Sequence, residues 1–197
     1  MNLCPGLTEP ASIYVHVPFC RVKCTYCAFN VYTHLEHHIP QYVDAVIREM
    51  QRVSAGRGPL VACSLYLGGG TPSLLSPEQV RRIIDASVHW YGLMPGAEIT
   101  LEVNPGTATP ESLAAYRTAG VTRVSIGVQS AQTADLRLFG RDHTFAEAIS
   151  TAASARQAGF ENVNLDLIYG APGQSLAGWE SSLEAALRLE PTHLALY

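Results

Sequence analysis

Apolar and polar residues form two kinds of pattern along the chain. Six short runs are rich in Val, Ile, Leu and Tyr, a composition typical of β-strands. They cover residues 12–17, 61–67, 98–103, 122–128, 162–168 and 193–197. Between these runs, apolar residues recur at the three- and four-residue spacing of helices. The predicted helices lie near 40–53, near 77–89, between Thr109 and Gly120, between Thr144 and Gly159, and between Ser175 and Pro191.

Strand and helix alternate strictly in this pattern. A strand that returns parallel to its neighbour through a helix makes a right-handed crossover, so the sequence predicts an α/β fold with a parallel sheet. The sheet is expected to be open, or to curve into a full or partial (β/α) barrel. Residues 1–197 read as one domain whose last residues fall inside the sixth predicted strand. We therefore expect a barrel that is cut near that strand.

Composition excludes some classes of function. The chain has 197 residues and 47% hydrophobic content, enough to bury one large core. Its net charge is −4 and no block of Lys and Arg occurs, which argues against a nucleic-acid partner. No segment approaches the roughly 18 apolar residues of a membrane-spanning helix, and the first ten residues lack the pattern of a secretion signal. We expect a cytoplasmic protein that binds a small molecule or another protein.

The strongest chemical motif is a trio of cysteines directly after the first predicted strand. Cys20, Cys24 and Cys27 have the spacing C-x₃-C-x₂-C. A [4Fe–4S] cluster held by three thiolates keeps one iron open, which is what S-adenosylmethionine needs in order to chelate it. The alternative is a structural zinc site, but zinc normally takes four ligands in two pairs, and the sequence has no second pair.

A glycine-rich turn follows the second predicted strand. Gly68, Gly69, Gly70 and Thr71 allow positive φ angles and a close approach of the backbone, with N–H and C=O groups that could hold a polar ligand. The alternative is an ordinary tight turn between a strand and a helix. Its position beside the cysteine loop favours the ligand-binding interpretation.

Polar residues recur near the ends of later strands. Glu102, Gln129 and Asp166 each interrupt or close an apolar run, where a buried polar side chain needs a partner. Functional residues of barrels gather at this end of the strands, although each of the three could instead make a structural hydrogen bond. Arg141 could pair with the carboxylate of the cofactor, or it could be a solvated surface arginine.

Other reactive residues receive structural interpretations. His34, His37 and His38 are expected in a solvated loop, and His16 is expected to make a structural hydrogen bond near the cluster. Cys63 is expected as a buried thiol and Cys4 as part of the terminal segment. The two tryptophans, Trp90 and Trp179, are expected to pack in the core.

Five sequence segments occur in an order and spacing that resemble the oxygen-independent coproporphyrinogen III oxidase family of radical SAM proteins, including its haem-chaperone branch. They begin with Tyr14-Val-His-Val-Pro-Phe-Cys, the cysteine loop and Gly-Gly-Gly-Thr-Pro-Ser, and continue with Gly-Val-Gln-Ser and Asn-Leu-Asp-Leu-Ile-Tyr-Gly. The resemblance implies a partial (β/α)₆ barrel followed by a further domain that this chain does not contain. It also implies a [4Fe–4S] cluster and S-adenosylmethionine as cofactors.

The resemblance assigns residues to those cofactors. It implies that the cluster is bound by the three cysteines and that S-adenosylmethionine contacts Tyr14, Gly69, Gly70, Thr71, Glu102, Gln129, Arg141 and Asp166, with Tyr26 beside the cluster. Its partners are expected to be haem or a porphyrinogen and a haem-acceptor protein, and homodimer formation stays open.

One position separates the two branches of this family. The oxidases carry a further cysteine two residues after the third cluster ligand, whereas this chain has Phe29 there, after Cys27 and Ala28. The resemblance therefore favours a HemW-type haem chaperone, which would deliver haem to haem proteins. The alternative is an oxidase that converts propionate groups of a porphyrinogen to vinyl groups by radical decarboxylation.

Overall fold

The computed structural model describes residues 11–56 and 60–197. Their centre is a six-stranded parallel sheet, to which a two-stranded parallel sheet is added near its first strand. The strands are β1 Ala11–Val17, β2 Phe19–Cys20, β3 Tyr32–Thr33, β4 Ala62–Gly69, β5 Glu98–Val103, β6 Arg123–Gln129, β7 Asn162–Leu167 and β8 His193–Leu196. The order in the large sheet is β1-β4-β5-β6-β7-β8, so β1 and β8 are its two edges.

Within the described ranges, six α-helices connect these strands. They are α1 Ile39–Ala55, α2 Pro77–Tyr91, α3 Pro110–Ala119, α4 Thr133–Leu138, α5 Phe145–Gln157 and α6 Leu176–Leu187. Capping boxes at Ser76, Thr109 and Thr144 start α2, α3 and α5, because each side chain accepts the N–H three residues later. Gly120 ends α3 in a left-handed conformation, which glycine adopts without steric cost.

The two faces of the large sheet differ in polarity because side chains alternate along each strand. Leu65, Leu101, Ile126 and Leu165 point to the helices and are fully buried in the core. The opposite face carries a polar set, which includes Ser64, Tyr66, Glu102, Ser125, Asn164 and Asp166. This face is the concave side of an incomplete barrel, so polar groups collect where a ligand can reach them.

The structure confirms the predicted α/β fold and adds elements that the pattern did not indicate. The short pair β2 and β3 and the helix α4 had no predicted counterpart. Trp90 and Trp179 pack against the core at partly buried positions. No helix in the described part of the chain is long and apolar enough to span a membrane.

The prediction for Cys63 was wrong in one respect. Cys63 is buried in β4, but it is disulfide-bonded rather than a thiol. An apolar strand position indicates burial and does not distinguish a thiol from one half of a disulfide. Cys4 lies outside the described residues.

Candidate functional site

A cavity of about 440 Å³ opens at the carboxyl end of the sheet. All the residues predicted for the site except Tyr14 line it, namely Cys20, Cys24, Tyr26, Cys27, Gly69, Gly70, Thr71, Glu102, Gln129, Arg141 and Asp166. Tyr14 lies outside the lining on β1, where it is 56% exposed and its hydroxyl contacts His16 Nδ1 at 3.1 Å. The volume is within the range of small-molecule and cofactor sites.

The cysteine loop is attached to the barrel at several points. Thr25 donates from its N–H to Phe139 O at 3.1 Å and from its hydroxyl to Leu138 O at 2.6 Å. Arg21 Nη1 donates to Gly106 O at 3.0 Å, which joins the loop to the segment after β5. These bonds hold the loop over the cavity.

The end of the same loop is held by a histidine. His16 Nε2 lies 2.9 Å from Asn30 O, three residues after the third cysteine. This contact confirms the structural hydrogen bond that was predicted for His16. The histidines at 34, 37 and 38 are exposed, as predicted.

Two of the three cysteine sulfurs have hydrogen-bond donors. Thr71 Oγ1 donates to Cys20 Sγ at 3.5 Å, and Arg141 Nη1 donates to Cys24 Sγ at 3.4 Å. Burial raises the pKa of the Cys20 thiol, and the bond from Thr71 opposes that rise. Among residues 11–56 and 60–197, no group of three or more His, Cys, Asp or Glu side chains is arranged to hold a metal ion.

The glycine turn is packed against the cysteine loop. Gly70 N–H donates to Val17 O and Thr71 N–H to Phe19 O, both at 2.8 Å. A Cβ atom on Gly70 would lie 2.7 Å from Phe19 O and 3.0 Å from Cys20 Sγ. The expectation that these N–H groups are free for a ligand was therefore wrong, because they join two loops of the protein. The turn holds Cys20 in place.

Glu102 connects the glycine turn to the polar face of the sheet. Its Oε1 accepts from the Tyr66 hydroxyl at 2.8 Å, and its Oε2 accepts from Gly69 N–H at 3.0 Å. Burial raises the pKa of Glu102, while these two bonds lower it. The carboxylate lines the cavity and keeps lone pairs for a further donor.

Gln129 has a strained backbone at the end of β6. Its φ of 66° is in the left-handed region, which residues other than glycine adopt at a cost. The pairing of β6 with β7 shifts register between Gly127 and Gln129, so the backbone bulges there. The side chain lines the cavity although the residue is only 7% exposed.

Arg141 lies where three segments of the site meet. Its guanidinium donates to Cys24 Sγ, to the Tyr26 hydroxyl at 3.3 Å, to Gly127 O at 3.3 Å and to Asn104 Oδ1. Its Nε is buried and has no partner among the described residues. The solvated alternative for Arg141 is excluded by these contacts.

Asp166 belongs to a polar group on β6 and β7. Ser125 Oγ donates to Asp166 at 3.1 Å, and Asn164 Nδ2 donates to Asp166 Oδ1 at 2.6 Å. Burial raises the pKa of Asp166, and both bonds oppose this. The alternative of a structural hydrogen bond therefore holds for Asp166, which also lines the cavity.

Sequence reasoning missed several residues of the lining. Asn104, Ser125 and Tyr197 contribute to the cavity, and Tyr66 reaches it through Glu102. Asn104 directly follows a predicted strand and could have been found by its position. Tyr66 gave no signal, because tyrosine is an ordinary strand residue.

The profile of the radical SAM superfamily matches residues 14–186 of this chain. The chain belongs to the radical SAM superfamily. The match extends from within β1 to the last but one residue of α6 and so includes the whole cavity lining except Tyr197. Membership confirms the first part of the predicted resemblance.

Individual proteins place the chain more closely within the superfamily. "Heme chaperone HemW" of Mycobacterium tuberculosis is 38% identical over all of this chain and 51% of its own length. The Escherichia coli protein of the same name is 39% identical over 95% of this chain and 50% of its own length. The resemblance to the haem-chaperone branch is thus confirmed. The chain spans about half the length of the curated relatives it matches.

A solved structure supports the fold. Coproporphyrinogen III oxidase (HemN) from Escherichia coli, a radical SAM enzyme, superposes with a TM-score of 0.85. It is 32% identical, and the match covers 95% of this chain and 43% of that one. The partial barrel predicted from the sequence is confirmed by this likeness.

The residues of the cavity fit the cofactors that the superfamily implies. Three thiol groups on one loop, with no histidine among them, are the soft donor set that iron–sulfur clusters take. A half-buried guanidinium with an unpartnered Nε suits an anionic ligand group. The carboxylate of Glu102 suits a positively charged one.

Proposed function

We propose that this chain is the cofactor-binding core domain of a haem chaperone of the HemW type. In this proposal, Cys20, Cys24 and Cys27 hold a [4Fe–4S] cluster, and the remaining cavity binds S-adenosylmethionine. With the rest of its protein, the chain delivers haem to haem proteins in the cytoplasm. The observation that carries the proposal is the convergence of the three thiols and the polar strand ends on one cavity.

When bound, the cluster supplies an open iron position and an electron for cleavage of the sulfonium bond. The protein side chains have separate tasks. Thr71 and Arg141 donate hydrogen bonds to Cys20 Sγ and Cys24 Sγ and so stabilise the thiolate form in which these residues would hold the cluster. Arg141 binds the carboxylate end of S-adenosylmethionine, and Glu102 attracts its cationic part while holding the glycine turn.

Phe29 supports the chaperone over the oxidase. It is 61% exposed and lines the cavity at the position where the oxidases of this family carry a cysteine. The phenyl ring of Phe29 has no group that can ionise or bind a metal as a cysteine thiol can. It can instead stack on the planar ring of a porphyrin. The identities to proteins named "Heme chaperone HemW" support the same choice.

The second candidate function is decarboxylation of a coproporphyrinogen. The likeness to the Escherichia coli oxidase, with a TM-score of 0.85, favours it. In that case the chain would supply the same cofactor site, and the porphyrinogen would take the place of haem. A haem-acceptor protein belongs to the chaperone proposal alone, whereas homodimer formation is compatible with both functions.

The cofactor part is tested by anaerobic reconstitution with iron and sulfide. The chain should bind about four irons and four sulfides, with absorption near ~400 nm, and each variant Cys20→Ala, Cys24→Ala and Cys27→Ala should lose that absorption. A zinc-loaded chain, or a cluster saturated by four protein ligands, would overturn the proposal.

The two functions are separated by two assays on the reconstituted protein. The first supplies coproporphyrinogen III, S-adenosylmethionine and a reductant, with the Escherichia coli oxidase as the positive control. The second supplies haem and an apo-haem protein, with Escherichia coli HemW as the control. Haem transfer without decarboxylation supports the chaperone, whereas protoporphyrinogen formation identifies an oxidase.

A further inference from the structure

Asn104, directly after β5, contacts both Arg141 and its neighbour Asp142, and all three residues line the cavity. Its Oδ1 accepts from Arg141 Nη2, and its Nδ2 donates to Asp142 Oδ1 at 3.0 Å. A carboxylate can only accept and a guanidinium can only donate, so the two partners fix which end of the amide faces which neighbour. The backbone N–H of Asn104 donates to Ser73 Oγ at 3.1 Å, which anchors the residue.

The hydrogen-bond partners of Arg141 include no carboxylate. It donates to an amide, a backbone carbonyl and a phenol, all of which are neutral, and to the sulfur of Cys24, which is the one partner that would become a thiolate in the cluster-bound protein. The described residues place no carboxylate within ion-pair distance of the guanidinium. A cation kept in this way, with a free Nε, is prepared for an anionic group of a ligand.

We propose that Asn104 is a positioning residue for S-adenosylmethionine. It holds the Arg141 guanidinium toward the cavity and, because it is an amide, does not neutralise it. An aspartate of the same shape would form an ion pair with Arg141 and would compete with the carboxylate of the ligand. This inference rests on the proposed cofactor site. It adds Asn104, which makes no hydrogen bond to the three cysteine sulfurs and which meets the predicted S-adenosylmethionine residues only through Arg141.

The test compares Asn104→Asp with Asn104→Ser in anaerobically reconstituted protein. Aspartate neutralises Arg141, whereas serine only releases it. We expect the dissociation constant of S-adenosylmethionine to rise about tenfold or more in Asn104→Asp and by less in Asn104→Ser, since a hydrogen bond to a charged group is worth about a factor of ten. Gln51→Glu, the same chemical change on the exposed face of α1, should bind as the wild type does.

A second ligand isolates the role of the carboxylate. Decarboxylated S-adenosylmethionine lacks the group that Arg141 would bind, so the wild type should prefer the complete cofactor strongly. In Asn104→Asp this preference should shrink by the same tenfold factor. A purely structural role for Asn104 would weaken both ligands equally and leave the preference unchanged.

The outcomes distinguish this inference from the proposed function. If the wild type, loaded with its cluster, binds no S-adenosylmethionine, the proposed function fails. If the wild type binds and both Asn104 variants match it at equal iron content, the positioning role alone fails. The midpoint potential of the cluster gives an independent readout, and it should fall in Asn104→Asp because an added negative charge disfavours reduction.

Discussion

Gly69 donates its N–H to Glu102 Oε2 at 3.0 Å, and this bond ties the glycine turn to the end of β5. The other oxygen of Glu102 accepts from the hydroxyl of Tyr66. Glu102 therefore combines two tasks, because the carboxylate that faces the cavity also fixes the turn that packs on Cys20. Different substitutions of Glu102 can therefore test its negative charge separately from its effect on the position of the glycine turn.

Replacing Glu102 by alanine and by glutamine should give different results. Alanine leaves the N–H of Gly69 and the hydroxyl of Tyr66 without a partner, and each such buried donor costs about 1–3 kcal/mol where water does not reach it. Glutamine can accept from Gly69 through its oxygen, and the Tyr66 hydroxyl can reverse to accept from the amide. We expect urea unfolding to show a large loss of stability for Glu102→Ala and a small one for Glu102→Gln.

Binding of S-adenosylmethionine should weaken in both Glu102 variants, because both remove the charge. Glu180→Gln, on the exposed face of α6, is the matched control and should change neither stability nor binding. Equal unfolding free energies for Glu102→Ala and Glu102→Gln would show that the turn does not depend on this side chain.

The variant Gly70→Ala should disturb the cluster rather than the fold as a whole. Its Cβ would approach Val17 O to 2.8 Å and Cys20 Sγ to 3.0 Å, so the cysteine loop has to move. Overpacking of this kind costs about 1–3 kcal/mol. After reconstitution, we expect a clear loss of bound iron and of the absorption at about 400 nm. The thermal midpoint of the same variant, measured in parallel, should change much less.

A matched glycine serves as the control for this prediction. At Gly56 the nearest heavy atom to an added Cβ is Val53 O at 3.8 Å, and the backbone is in the ordinary helical region. Gly56→Ala should therefore keep the wild-type iron content. If Gly70→Ala also loads fully, the close approach of the two loops is not required for the cluster.

Most of the barrel could be predicted because its signals are local. The capping box at Thr144 depends on residues a few positions apart, and the boundaries of β5 were predicted without error. The pair β2 and β3 could not be predicted in this way, since two-residue strands carry too little pattern. The six-residue helix α4 was missed for the same reason.

Sequence position predicted which residues come together at the cavity, but not the contacts that they make there. A strand end identifies Glu102 and Asp166, because topology brings the ends of parallel strands to one edge. The contact between Asn104 and Arg141 joins residues 37 positions apart. Such a contact depends on register, loop path and rotamer together, which no short pattern encodes. The same limit explains why the N–H groups of the glycine turn were predicted to be free.

The left-handed backbone conformation at position 129 should make stability depend on which residue occupies it. In Gln129→Gly and Gln129→Val the amide is lost equally, but glycine accepts a φ of 66° and a β-branched residue does not. We expect the unfolding free energy of the glycine variant to exceed that of the valine variant by about 1–3 kcal/mol. Both variants should bind S-adenosylmethionine more weakly than the wild type. Equal stability of the two would mean that the bulge relaxes without strain.

His143 should make the stability of the chain depend on pH. It is 5% exposed, its Nε2 faces Val128 O at 3.3 Å, and its Nδ1 is buried without a partner among the described residues. Burial, and after it the positive charge of Arg141, lower its pKa to about 4, against the opposing effects of the bond to Val128 O and of the charges of Asp142 and Glu147. The imidazole is therefore neutral in the folded state at pH values where an unfolded histidine is protonated.

The sign of the effect follows from these two pKa values. Because the folded pKa lies below the ordinary value of 6.5, the unfolded state binds more protons between them, and stability falls as pH decreases from about 6.5 toward 4. His143→Gln keeps a donor for Val128 O and removes the titration. Urea unfolding of the cluster-free chain should show that the wild type loses about 2 kcal/mol more than this variant between pH 7 and pH 5. His37→Gln, at an exposed position, controls for the loss of a histidine as such, and parallel pH curves for the wild type and His143→Gln would contradict the prediction.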